Sequence, residues 1–124
     1  MQKPKELDFG FIWDDKKIWR LNIPIEEIDI DELKQNFQFP YLDKEGTDDW
    51  NLTPQELITH PEKEPSHFKK IKEVDMSYPI EIYLHEGTWK ILDGVHRYCR
   101  ALLEGRKTIK VRRISKEMIQ EILK

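Results

Sequence analysis

YPIEIYLHEGTWKILDGVHRYCRALLEGRKTIKVRRIS, residues 78–115, is the stretch from which the fold is read. After Pro79, the apolar side chains of Ile80, Ile82 and Leu84 recur at period two and share one face of a strand. Glu86-Gly87 is a two-residue turn, and Trp89 and Ile91 continue on the return strand of a hairpin. From Val95 the period changes: Tyr98, Cys99 and Leu102 form an apolar stripe at helical spacing, and Gly105 supplies a C-terminal stop. TIKVRRI then alternates as a last strand. Strand, turn, strand, helix, strand predicts an α+β fold, a single small domain with a mixed β-sheet and packed helices.

The junction Asp93-Gly94-Val95-His96-Arg97 breaks a local rule. The first turn of a helix exposes unpaired N–H groups and roughly half a positive charge, so acids are favoured there and bases are not. His96 and Arg97 work against that dipole unless an anion arrives, while Gly94 allows close approach to the backbone. Gly94, Val95, His96 and Arg97 are therefore the expected phosphate-binding residues, with Arg97 able to fork onto two oxygens. Asp93 is placed to hold His96 or Arg97 or to help position a metal ion, and Asp93 and His96 are the catalytic candidates. The competing reading is a structural turn with surface His and Arg.

Outward from this stretch, Phe9, Phe11 and Trp13 at period two, then DDKK, then Ile18 and Trp19, predict a hairpin over residues 7–23. Asp29 and Glu32 have capping-box spacing ahead of a short helix from Ile30 to Asn36, and 39–49 reads as loop. Thr53, Pro54 and Glu56 open a short helix that His60-Pro61 closes. Phe68, Ile71 and Val74 predict a helix over 66–74, and Ser115 is expected to cap a last helix from Lys116 to Leu123. Trp13, Trp19 and Trp50 read as core fillers, with a stacking platform as the alternative. Glu81 reads as the polar face of a half-exposed strand, although a carboxylate there would also suit an acceptor base. Arg106, Lys107, Lys110, Arg112 and Arg113 read as a solvated strand edge, with extension of the anion site as the alternative.

The 124 residues carry 21 Lys plus Arg against 24 Asp plus Glu, and a net charge of −3 with a pI near 5.8 argues against nucleic acid as a general partner. Cys99 is the single cysteine, so no internal disulfide is expected and the cytoplasm is the default compartment. No signal peptide and no membrane span is expected. His60, His67 and His85 lack the spacing of a transition-metal site, and none is expected.

In that order of elements, residues 66–114 resemble the ParB/sulfiredoxin superfamily: Pro79-Ile80 at the first strand, Asp93-Gly94-Val95-His96-Arg97 at the turn, Ala101 and Gly105 as helix landmarks, and Ile109-Lys110-Val111 as the last strand. The resemblance implies nucleotide phosphates at the Gly-x-His-Arg turn, usually with magnesium, and makes Ser77, Tyr78 and Arg100 secondary pocket positions. Sulfiredoxins place a catalytic Cys where Val95 stands, so sulfinic-acid reduction is not expected, and Cys99 on the apolar stripe does not replace it. With ten residues after 114, the DNA-binding and dimerisation domains of partition proteins are not expected, nor is a complete partition clamp. Another branch phosphorylates a small molecule from a similar Asp-Gly-x-His-Arg turn. The implied function is nucleotide binding (ATP, ADP or CTP type), with hydrolysis or phosphoryl transfer to a small acceptor. The alternative is an inert adaptor that binds a protein or nucleic acid.

Overall fold

The computed structural model describes residues 3–124. Four strands, β1 (Glu26–Asp29), β2 (Ile80–His85), β3 (Thr88–Asp93) and β4 (Thr108–Ile114), form one sheet in the order β1-β4-β2-β3. β2 runs parallel to β4 and the other pairings are antiparallel, so the sheet is mixed, as expected from the sequence. The helices are α1 (Asp15–Trp19), α2 (Pro54–Thr59), α3 (Pro65–Glu73), α4 (Val95–Leu103) and α5 (Ile119–Ile122). None is long and apolar enough to cross a membrane among the described residues.

The 78–115 stretch folds as its pattern dictates. Glu86 and Gly87 both take positive φ (51° and 78°), the turn geometry that matches the twist of a two-stranded hairpin. Ile80, Ile82, Ile91, Ile109 and Val111 cover one sheet face and pack against Leu33, Tyr98 and Ala101. Leu84 runs past this cover and is 49% exposed. The opposite face is closed by a second core of Leu7, Phe9, Ile18, Leu92, Ile114 and Ile122. A third cluster, Leu42, Leu52, Leu57, Ile71 and Cys99, joins α2, α3 and α4.

Several expectations are corrected. Residues 7–23 form no hairpin: Asp14 accepts from the Lys16 N–H at 2.9 Å and caps α1, so the DDKK segment winds into a helix. Trp13 makes one isolated bridge, to Leu123. The helix after Asp29 is a 3₁₀ helix over Ile30–Gln38, in which Asp29 caps Asp31 instead of closing a box with Glu32. The Thr53/Glu56 capping box is present in full, and α3 begins at Pro65, within a residue of its expected start. After Ser115 a 3₁₀ turn (Lys116–Met118) precedes the four-residue α5, and the Ser115 side chain caps neither. β1 pairs with β4 only up to Val111, yet Arg112 and Arg113 are no solvated edge: Arg112 donates to Ile18 O and Leu21 O, and Arg113 pairs with Glu26 at 3.0 Å and lies over the Trp89 ring. Trp19 is 56% exposed and fills no core, whereas Trp13 and Trp50 are partly buried beside the second core.

Candidate functional site

Gly94 turns the chain from β3 into α4 with φ +104°, a conformation open to glycine at little cost. A Cβ there would stand 2.6 Å from Ile80 Cγ2 and 2.9 Å from an Arg97 Nη1. The space beside Gly94 is therefore filled by protein atoms. The first α4 amide to meet a carbonyl of its own helix is Tyr98 N–H, which donates to Gly94 O at 3.0 Å, so the amides of Val95, His96 and Arg97 precede the ladder.

The side chains of the junction diverge. Asp93 accepts from the Trp19 indole N–H at 2.9 Å, on the sheet face away from α4. Val95 packs against the helix-side cores and lines a small hollow of about 110 Å³ with Trp13, Trp50 and Tyr41. His96 Nε2 meets His67 Nδ1 of α3 at 3.0 Å, and His67 Nε2 reaches the Asp43 carbonyl at 2.6 Å. A carbonyl only accepts, so His67 carries its proton on Nε2; neutral His67 then accepts through Nδ1, and His96 donates from Nε2. His96 is left with a bare Nδ1. Burial, His67 and the Lys70 ammonium together push the His96 pKa down to about 4.

Arg97 turns the other way. It donates to Pro79 O at 3.2 Å and lies against the exposed Tyr78 ring, and its buried Nε has no partner among the described residues. Its guanidinium separates two openings. One, about 380 Å³, carries Arg106, Lys107 and Lys110 beside Glu27 and Met76. The other, about 690 Å³, is walled by Trp19, Leu21, Ile23 and Ile25 from the N-terminal segment. Glu81 and Arg112 form its polar floor.

Glu81 departs most from its sequence expectation, since it is 3% exposed. A register shift in the β2–β3 ladder seats it directly opposite Asp93, two acids across a strand pair. Arg112 Nε stands 3.5 Å from Glu81 Oε2, while its other nitrogens donate to Ile18 O at 2.7 Å and Leu21 O at 3.2 Å. Burial dominates over Arg112, and with Asp93 alongside, it lifts the Glu81 pKa to about 7.

The secondary positions have local roles. Ser77 donates twice to Asp75 Oδ1, through N–H at 2.9 Å and hydroxyl at 2.7 Å, closing a turn. Tyr78 is 61% exposed and lines both openings. Arg100 donates to Lys72 O at 2.9 Å, tying α4 to the carboxyl end of α3, and pairs with Glu104. Cys99 is fully buried, which pushes its thiol up to about 12. Sequence reasoning weighed His67 only as a metal ligand and passed over Lys70, whose i,i+3 spacing from His67 on one face of α3 was the signal, and it read Trp19 and Arg112 for other roles. Among the described residues, no three His, Cys, Asp or Glu side chains stand together to hold a metal ion.

No family model matches the sequence, and no curated protein matches it. Among solved structures, the crystal structure of sulfiredoxin from Arabidopsis thaliana aligns with 78% of this chain and 93% of its own, at 20% identity and a TM-score of 0.37.

Proposed function

We propose that the protein binds a nucleotide through its phosphates at the amino end of α4, with His67 and Lys70 of α3 joining Gly94, Val95, His96 and Arg97. The observation that carries this reading is the meeting of His67 and His96 at 3.0 Å beside Lys70. Three side chains able to carry positive charge converge at a helix end already positive by its dipole, and burial, with His67 and Lys70 beside it, keeps His96 neutral. A phosphate reverses that balance: it takes the helix amides and the Lys70 ammonium as donors and favours a proton on His96 Nδ1. The resemblance of residues 66–114 to nucleotide-binding relatives supports the same assignment. Magnesium would arrive on the phosphates, held by their oxygens and water with few protein ligands. In hydrolysis, or in transfer of the phosphoryl group to a small acceptor, His96 protonated over the phosphate would act as an acid, while Asp93 is turned away to Trp19.

Calorimetric titration with ATP, ADP, CTP, GTP and pyrophosphate, in magnesium and in two buffers of different ionisation enthalpy, tests the proposal. Binding with proton uptake near neutral pH is expected, and His67→Ala should weaken it. Lys70→Ala should cost about 2–3 kcal/mol of affinity, whereas Arg97→Ala should cost little, because the Arg97 side chain turns to Pro79 O and only its amide faces the α3 side. Phosphate release in the same samples reads hydrolysis. A wild type that binds none of the panel at millimolar concentration ends the nucleotide reading and leaves the adaptor, which the exposed Trp19, Ile25 and Tyr78 favour.

A further inference from the structure

The cleft of about 690 Å³ on the far side of Arg97 falls in the size range of small-molecule sites. Its composition is unusual for a surface groove. Trp19, Ile25 and Tyr78, three of the large apolar side chains left uncovered, ring one opening, and Leu21 and Ile23 continue the wall inward. Beneath them lies a polar floor with too few acceptors. Among the described residues Arg97 makes one hydrogen bond, to Pro79 O, and its buried Nε makes none, while the buried Arg112 Nε has no hydrogen bond and meets only the Glu81 carboxyl as an ion pair at 3.5 Å. Buried donors lacking acceptors beside an open cleft mark a place where a ligand oxygen belongs.

The groups facing Glu81 set the sign of that ligand's charge. Asp93 faces it from β3, Arg112 from β4 and Arg97 from α4, while the Trp19 indole holds Asp93 from α1. With Glu81 ionised, two carboxylates balance two guanidiniums. With Glu81 protonated, one positive charge is left over beside the donors.

We propose that this cleft binds a small carboxylate with an apolar body, its carboxylate received by Arg97 and by the Glu81 carboxyl acting as a donor, and its body laid along Trp19, Ile23 and Ile25. This site is separate from the proposed phosphate site on the α3 side of the junction, and it stands whether or not a nucleotide binds there. Binding is tied to protonation, because only the protonated acid leaves both a donor and a net charge for the anion.

Hexanoate, hexanamide, hexylamine and inorganic phosphate are the probes. The readout is the Trp19 indole and arginine Nε–H resonances in heteronuclear NMR, on wild type, Glu81→Gln and Trp19→Ala. Hexanoate should give saturable shifts, with affinity about tenfold weaker at pH about 8 than at pH about 6, since a group titrating near 7 changes from about nine-tenths to about one-tenth protonated. Glu81→Gln, a donor at every pH and close in shape to the protonated acid, should bind hexanoate equally at both. Trp19→Ala should weaken hexanoate about tenfold, seen on the arginine resonances, and leave binding of the nucleotide panel unchanged. The proposal is overturned if hexanamide or hexylamine matches hexanoate, or if inorganic phosphate shifts the same resonances as far. It is equally overturned if the wild type shows no pH dependence, or if no saturable shift occurs by about 50 mM, a concentration far weaker than any specific site requires.

Discussion

Replacing Glu81 by Gln should stabilise the protein in mildly alkaline solution, the reverse of what removing a buried ion-pair partner normally does. The carboxyl titrates near 7 in the fold against its ordinary 4.5, because burial outweighs Arg112 and Asp93 adds repulsion. A raised acid contributes stability that is complete below about pH 4.5 and is lost as pH rises through about 7, to a total of about 3 kcal/mol. Gln keeps the shape and the donor of the protonated acid and cannot ionise, so the variant escapes that loss. His96 has the opposite slope: its pKa falls to about 4, so its contribution is complete above about 6.5 and lost as pH falls through about 4. The wild-type profile between pH about 4.5 and about 6.5 is therefore flattened by two terms that oppose each other, and only the difference between Glu81→Gln and wild type isolates the acid. Urea unfolding from pH about 5 to about 8.5 should show near-equal stability at the acid end and a variant more stable by up to about 3 kcal/mol at the alkaline end. If Arg112 held Glu81 as a firm ion pair, the variant would instead lose about 3–5 kcal/mol throughout, and that outcome would refute the reasoning.

Gly94→Ala should destabilise by about 2–4 kcal/mol in chemical denaturation, because a Cβ would meet Ile80 at 2.6 Å in a backbone with φ +104°; a loss below about 1 kcal/mol would show that the junction relaxes freely. Cys99, buried with its thiol raised to about 12, should resist native alkylation, and labelling at the unfolded rate would contradict its burial. Thr53→Ala should cost about 1 kcal/mol by thermal unfolding, since its hydroxyl accepts the Glu56 N–H at 3.1 Å while Glu56 returns the bond to the Thr53 N–H; an unchanged midpoint would mean that α2 is held by packing alone.

The core of the fold was legible where one face of each element decides its burial. Residues 78–115 switch from period two to helical spacing and back, and each switch marks a real boundary. The N-terminal half misled for a definable reason. Phe9, Phe11 and Trp13 do alternate with exposed neighbours, but the chain bends at Gly10 (φ 85°) and Phe11, and the three rings pack on one another over the far face of the sheet with centroids 5.7–6.3 Å apart. Alternation reports which side is covered and is silent on whether a neighbouring strand supplies hydrogen bonds. Glu81 misled for a related reason: β2 lies between β4 and β3 and is covered on both faces, so a position that alternation assigns to solvent is inside.

The site was harder to read than the fold, and helix geometry explains why. At 3.6 residues per turn, consecutive side chains leave a helix about 100° apart, so Val95, His96 and Arg97 cannot all face one ligand. The structure shows the result: Val95 enters the core, His96 turns to α3, and Arg97 crosses Gly94 towards Pro79. What three adjacent residues at a helix start can share is their backbone amides. Side chains that complete an anion site must then come from another element, and α3 is the element that meets His96, through His67 and Lys70. No spacing rule connects His67 to His96 across 29 residues; only the packing of α3 on α4 does. The same divergence gives each side of the junction its own chemistry. His96 is held neutral by burial first and by His67 and Lys70 on the α3 side, whereas Glu81 is held near neutrality by burial and Asp93 on the other. An anion on the α3 side and one in the Trp19 cleft would both draw a proton onto the protein, at different groups, so two ligands read by one pH titration would be separated by Glu81→Gln, which leaves the cleft able to bind but removes its proton uptake.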